Sequence, residues 1–164
     1  MLRLSGTVND SIVDGKGLRF TVFTQGCEHR CPGCHNPQTH DPSGGYDCTL
    51  EELWTQICAN PLLDGVTFSG GEPMLQAGEL AILAKRCHQK GLTVWVYTGY
   101  TIEYLLKEQN PDRMALLAET DVLIDGPFLL EERSLDLLFR GSANQRILNV
   151  SESLRKQKAC LLDE

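Results

Sequence analysis

Four short segments rich in β-branched and aromatic residues punctuate this chain: Phe20–Thr24, Val66–Ser69, Thr93–Thr98 and Val122–Asp125. A fifth, weaker strand candidate is Arg146–Val150. The starts at 66, 93, 122 and 146 are separated by 27, 29 and 24 residues, close to the roughly 30 residues of a βαβ unit. The intervening sequence is helical in pattern. Thr49 and Glu52 form a capping-box pair, and Leu50, Leu53, Trp54, Ile57 and Cys58 then recur on one helix face. Leu80, Leu83, Ala84 and Cys87 share another face, with Gly91 as a C-terminal stop. A third helix is predicted from about Thr101, broken near Pro111, with a second piece over Met114–Leu117. A terminal helix is expected over 151–162. Alternation of this kind predicts a parallel sheet with right-handed crossovers. A complete (β/α)8 barrel takes about 250 residues. With 164 residues, five or six βα units fit. The expectation is therefore an α/β fold, a partial and open (β/α) barrel, forming one domain over 1–164.

Each predicted strand ends at unusual chemistry: Gln25-Gly26-Cys27, Ser69-Gly70-Gly71-Glu72-Pro73, Thr98-Gly99-Tyr100 and Asp125-Gly126-Pro127. Parallel α/β folds collect their active sites at the carboxyl ends of strands, so four such ends are expected to face one cavity. Fifteen basic residues against twenty-two acidic ones leave a net charge of −7. That balance excludes nucleic acid and anionic membrane as main partners, because both demand clustered Lys and Arg. No apolar run approaches the ~20 residues of a membrane helix. Met1–Gly6 lacks the apolar core of a secretory signal, so the expected location is the cytoplasm.

Seven cysteines are an odd number, and Cys27, Cys31 and Cys34 fall within eight residues of one another. In a reducing compartment, clustered thiols bind metal or do redox chemistry. They lie in a long loop, Gly26–Asp47, whose length itself calls for a functional reason. Two readings of the Cys-x3-Cys-x2-Cys spacing compete. One is a structural zinc ion held by the three thiolates with His29, His35 or His40. The other is a 4Fe–4S cluster on three cysteines, its fourth iron open to bind a substrate or cofactor. Cys48 is a further thiol that could close that site. The adjacent glycines of Gly70-Gly71-Glu72-Pro73 let backbone approach a ligand closely. Neither a Walker loop nor a dinucleotide fingerprint is present.

With these motifs the sequence resembles the radical S-adenosylmethionine enzymes, which share Cys-x3-Cys-x2-Cys and Gly-Gly-Glu-Pro. The resemblance implies a 4Fe–4S cluster on Cys27, Cys31 and Cys34 whose open iron chelates the methionine amino and carboxylate groups of S-adenosylmethionine. It also implies that the Gly70-Gly71-Glu72-Pro73 backbone helps hold that amino group. The candidate cofactor contacts are Gly33, His35, Asn36, Ser69, Gly70, Gly71, Glu72, Thr98 and Asp125, with a loop cap as the alternative role for His35 and Asn36 and a cap or turn for Asp125. Gly33 replaces a residue that is often aromatic there, which leaves backbone contact to adenine but no stacking. The likeness narrows further. Val13–Phe20, Cys31–Pro37, Trp95–Tyr100, Asp125–Phe128 and Arg140–Arg146 resemble, in order, motifs of the family that activates anaerobic ribonucleoside-triphosphate reductases. Lys16 stands where that family often has proline. The sister family that activates pyruvate formate-lyase is similar but considerably longer.

What this resemblance implies is an enzyme that cleaves S-adenosylmethionine reductively to methionine and a 5′-deoxyadenosyl radical. That radical takes hydrogen from a backbone glycine of the large anaerobic ribonucleotide reductase, with flavodoxin or ferredoxin as the electron donor. Two other function classes remain open at this point: an activase of another glycyl-radical enzyme, and a non-enzymatic metal-binding module. Asn144 and Arg146 are candidates for cofactor or partner contact, or for a solvated surface. Cys58 and Cys87 lie on apolar helix faces and read as core.

Overall fold

A computed structural model describes residues 1–29, 31–34 and 37–162. Its elements in chain order are β1 (Leu2–Ser11), β2 (Arg19–Thr24), β3 (Tyr46–Cys48), α1 (Leu50–Cys58), β4 (Gly65–Gly70), α2 (Ala77–Gln89), β5 (Thr93–Tyr97), α3 (Ile102–Glu108), α4 (Pro111–Ala118), β6 (Val122–Asp125), β7 (Arg146–Asn149) and α5 (Val150–Lys156). The strands form one open mixed sheet in the order β3-β1-β2-β4-β5-β6-β7. Four of them, β2, β4, β5 and β6, run parallel.

The helices begin and end for local reasons. The Thr49 hydroxyl accepts from Glu52 N at 3.1 Å while the Glu52 carboxylate accepts from Thr49 N at 3.0 Å, so the predicted capping box starts α1. Gly91, at φ +90°, follows α2 as expected. Thr101 caps α3, left-handed Gln109 ends it, and Asn110 with Pro111 opens α4. The predicted break at Pro111 is thus a cap between two helices.

Alternation along the strands sorts the two faces of the sheet. Phe20, Val22, Val66, Phe68, Val94, Val96 and Leu123 belong to the main core with Leu53, Ile57, Leu80, Leu83, Leu105, Leu116 and Leu117 from the helices, all buried. At roughly 1.5–3 kcal/mol for each large apolar side chain removed from water, this layer is the main source of stability. A smaller cluster of Trp95, Val122 and Ile124, with Tyr97 and Phe139 packed against it, belongs to the opposite face. There the buried Arg19 guanidinium donates to Thr67 Oγ1 (2.8 Å), Val66 O (2.8 Å) and Thr93 O (2.9 Å). Burial pulls its pKa down to about 10, against the opposing charges of Asp121 and Asp64. These bonds tie β2 across β4 to β5.

Two strands escape the sequence reading, and two expectations need correction. The unpredicted β1 pairs antiparallel with β2 and with three-residue β3. The strand expected at Arg146–Val150 exists as β7, but it pairs antiparallel with β6, so the parallel units number four strands rather than five or six. The physical reason lies in residues 126–145, which contain no helix to carry a parallel crossover, only a 3-10 turn at Leu130–Glu132. The terminal helix stops at Lys156, where Gln157 turns left-handed (φ 54°). The tail beyond it pairs with β7 through Leu162 N to Ile147 O (2.9 Å) and Asn149 N to Cys160 O (2.8 Å).

Candidate active site

The parallel strands end together, so the residues that follow them meet at one rim of the sheet. Beside it, on the face opposite the main core, lies a cavity of about 850 Å³. Cys27, Cys31, Cys34, Ser69, Gly70, Gly71, Thr98 and Gly99 all line it. This volume falls within the range of small-molecule sites, roughly 300–1,000 Å³. All three cysteines are partly exposed and none is in a disulfide. Burial raises the Cys27 thiol, and the nearby Glu72, Cys31 and Cys34 charges add to that despite a lowering hydrogen bond from the His29 backbone. A site that penalises a lone thiolate in this way suits a bound cation or cluster, which removes the proton on coordination.

Backbone hydrogen bonds hold the cysteine loop onto the strand ends. Gly26 N donates to Thr39 O (2.6 Å), Cys27 N to His40 O (3.2 Å) and Cys34 N to Cys31 O (3.1 Å). Gly71 N reaches back to Thr24 O (2.8 Å) and Glu72 N to Gly26 O (2.7 Å). Gly71 has to be glycine for this approach. A Cβ there would overlap Gly26 O and stand 2.8 Å from the Gly26 carbonyl carbon.

Glu72 is fully buried, and its carboxylate is turned into the protein. Oε1 accepts from His29 Nε2 (2.5 Å), Thr98 Oγ1 (2.8 Å) and Gly99 N (2.8 Å), while Oε2 accepts from Met74 N (2.9 Å) and Thr98 Oγ1 (2.9 Å). His29 stands edge-on to Tyr100 with centroids 4.5 Å apart. The Tyr100 hydroxyl donates to Glu28, and Arg113 lies 4.7 Å above the Tyr100 ring. Burial, then the Glu28 bond, pushes the Tyr100 phenol well up.

Several expected contacts lie apart from the cavity wall. Glu72 is spent on the bonds above. Asp125, also fully buried, accepts from Ile102 N (2.8 Å) at the start of α3 and from Arg146 Nε (2.9 Å) and Nη2 (2.6 Å). Gly33 sits in the Cys31–Cys34 turn outside the lining. His35 and Asn36 lie outside the described residues. Cys48 is packed in the main core, its thiol pushed up to about 11 by burial, and lines nothing with the other three. Asn144 braces the returning segment, donating to Pro127 O at 2.8 Å.

Sequence reasoning missed much of the rest of the wall. Val8, Asp10 and Ile12 come from β1 and the turn after it, and Leu137 and Phe139 from the segment before β7, while Asp14, Phe128 and Arg140, also on the wall, lie within motifs that carried the resemblance. The alternation of Leu2 and Leu4, both fully buried, was the available signal for β1.

The wall fits a polar, iron-bearing ligand on two counts. Three thiols are the number that a cubane cluster held at three of its corners would take, one to each iron. Among the described residues, no three His, Cys, Asp or Glu side chains converge as the ligands of a single ion would. Two buried wall atoms, His40 Nε2 and Arg140 Nε, lack a hydrogen-bond partner among the described residues, a deficit that a polar ligand would fill.

Comparison with known proteins agrees. The family described as a 4Fe-4S single cluster domain matches residues 13–148. An anaerobic ribonucleoside-triphosphate reductase-activating protein from Vibrio cholerae is 39% identical over 148 residues, covering 83% of this chain and 90% of that protein. Its Haemophilus influenzae counterpart is 36% identical over 148 residues, with the same coverage of both. The chain belongs to the family of anaerobic ribonucleoside-triphosphate reductase-activating proteins. In this family member, then, Cys27, Cys31 and Cys34 sit inside the span matched by the 4Fe-4S domain. A pyruvate formate-lyase-activating enzyme from Clostridium pasteurianum is also similar, at 42% identity over 106 residues, covering 61% of this chain and 44% of that protein.

Proposed function

We propose that this chain is a radical S-adenosylmethionine activase that installs a glycyl radical on a large anaerobic ribonucleoside-triphosphate reductase. The observation that carries the reading is the assembly of three cysteine thiols and the Gly70–Gly71 backbone on one cavity wall at the ends of parallel strands. Cys27, Cys31 and Cys34 would hold a 4Fe–4S cluster through one iron each, leaving a fourth iron for the cofactor. Once bound, the cluster supplies the one electron that cleaves S-adenosylmethionine and so starts hydrogen abstraction from the partner's glycine. The chain's own part is to bind and orient. Ser69, Gly70, Gly71 and Thr98 would contact the cofactor. Glu72 and Asp125 would act by fixing the strand ends, since their carboxylates are already filled. The open sheet is the core of a partial barrel, and its missing side would admit a protein loop. Exposed Ile12 and Val13 stand on the wall, and exposed Leu135 and Leu138 flank Leu137 on the opposite segment. Apolar groups around an open mouth favour a protein partner.

The reductant we assign is flavodoxin or ferredoxin, and the location the cytoplasm, where seven thiols stay reduced. Among the described residues, no helix is long and apolar enough to cross a membrane. The similarity to a pyruvate formate-lyase-activating enzyme favours a second reading, activation of another glycyl-radical enzyme.

Electron paramagnetic resonance of the anaerobically reconstituted, reduced protein tests the chemistry. A cubane signal that changes on adding S-adenosylmethionine is expected; a signal indifferent to it overturns the radical reading. Incubation with each candidate partner separates the two activases by which one acquires a glycyl-radical doublet.

A further inference from the structure

Among its described residues, the loop that carries the three cysteines shows a single 3-10 turn, at Pro37–Thr39 before β3. Its backbone is tied down at Gly26 and Cys27, and the Cys31–Cys34 turn is closed on itself. Between Cys27 and Cys31 the anchoring passes to side chains. His29 Nε2 meets Glu72 Oε1 at 2.5 Å, with the His29 side chain 15% exposed and the Glu72 side chain wholly buried. The imidazole also fills the space over Gly99, where a Cβ would come within 2.5–2.8 Å of three ring atoms. Glu28 next to it takes the Tyr100 hydroxyl. Glu72 in turn is fixed by Thr98, Gly99 and Met74. This one buried carboxylate therefore joins the end of β4, the end of β5 and the cysteine loop.

We propose that His29 is a positioning residue. Its bond to Glu72 clamps the Cys27–Cys31 interval against the ends of β4 and β5, fixing where the thiols stand relative to the Gly70–Gly71 backbone. Both partners are protein side chains, so the clamp can be tested in the metal-free chain as well as in the loaded one. It does not supply a ligand, and chains lacking it keep all three thiols. What they lose is the register between cluster and cofactor site. The inference rests on the reading of Cys27, Cys31 and Cys34 as cluster ligands.

The test compares full-length His29→Ala and His29→Gln, the second retaining an N–H donor. In the metal-free chain, His29→Ala is expected to speed amide exchange across Cys27–Cys34 about tenfold, as loss of a hydrogen bond to a charged group implies. Exchange in β5 and β6 should stay unchanged. After anaerobic reconstitution, iron content should match wild type, while the S-adenosylmethionine concentration that half-converts the paramagnetic signal rises about tenfold. His29→Gln should restore both readouts. Wild-type exchange and titration in His29→Ala overturn the proposal, as does a glutamine variant that behaves like alanine. If His29→Ala loosens the whole sheet, His29→Gln decides alone: wild-type behaviour supports the clamp and alanine-like behaviour overturns it. Absence of a cluster in wild type would instead overturn the ligand reading, leaving the exchange result to stand.

Discussion

Replacing Gly71 with alanine would push a methyl group into the joint between the ends of β2 and β4. The new Cβ overlaps Gly26 O and stands 2.8 Å from the Gly26 carbonyl carbon and 3.0 Å from Thr39 O. All of these are backbone atoms, so no side chain can swing aside. Ordinary carbon contacts need about 3.5–4.0 Å, so the two segments must part by about 1 Å. Opening of that size carries Gly71 N–Thr24 O, now 2.8 Å, and Glu72 N–Gly26 O, now 2.7 Å, past the limit for a hydrogen bond. Two lost bonds at ~1 kcal/mol each, with ~1 kcal/mol or more of overpacking strain, give a destabilisation of about 3 kcal/mol. For a chain of this size the melting temperature should fall by roughly 6–12 °C. Thermal unfolding of the metal-free protein followed by far-ultraviolet circular dichroism measures this independently of any cofactor. Gly6→Ala is the control: a Cβ there meets nothing within 4 Å, and the effect should stay within ~0.5 kcal/mol. A Gly71→Ala melting point within about 2 °C of wild type would refute the close-approach argument.

Three further outcomes are expected. Arg146→Ala leaves fully buried Asp125 without its charge partner and should cost about 3 kcal/mol in urea denaturation, part of it recovered by adding Asp125→Asn. Burial draws the His88 imidazole down, but its bonds to Asp121 and Glu119 outweigh this and hold it above its ordinary value. Its stabilising contribution is therefore complete below the ordinary histidine pKa of ~6.5 and lost as pH rises through the higher folded value, so wild-type stability should drop from mildly acidic to mildly alkaline pH and the drop should shrink in His88→Ala. Alanine at Cys27, Cys31 or Cys34 should each abolish the cofactor-responsive iron signal, whereas Cys58→Ala, at a thiol that the helix pattern placed in the core but that the structure leaves exposed and off the cavity wall, should leave iron content unchanged.

Legibility in the sequence followed the range of the interactions involved. The capping box at Thr49, the stop at Gly91 and the break at Pro111 depend on neighbours a few residues away, and each was readable as such. So were the parallel strands, whose residues carry their own propensity. Strand β1 was hidden because Gly6 stands in its middle, Asn9 and Asp10 near its end, and two register shifts interrupt its pairing. The direction of β7 depended on what residues 126–145 fail to form, which no local pattern records. In the site, the thiols and glycines were legible from spacing. The inward turn of the Glu72 and Asp125 carboxylates was not, because His29, Thr98, Arg146 and Ile102, which capture them, lie 21 to 43 positions away.

The sheet leaves a broad face open without leaving a template for another sheet to grow on. At one margin β3 spans three residues, and the rest of the outer side of β1 is kinked by its register shifts and marked by Asp10. At the other margin the tail residues Cys160–Leu162 already occupy the backbone groups of β7. Long, flat, unpaired margins are what recruit neighbouring chains into fibrils. At its margins the sheet thus offers neighbours side chains, which release what they bind, and hardly any unpaired main chain.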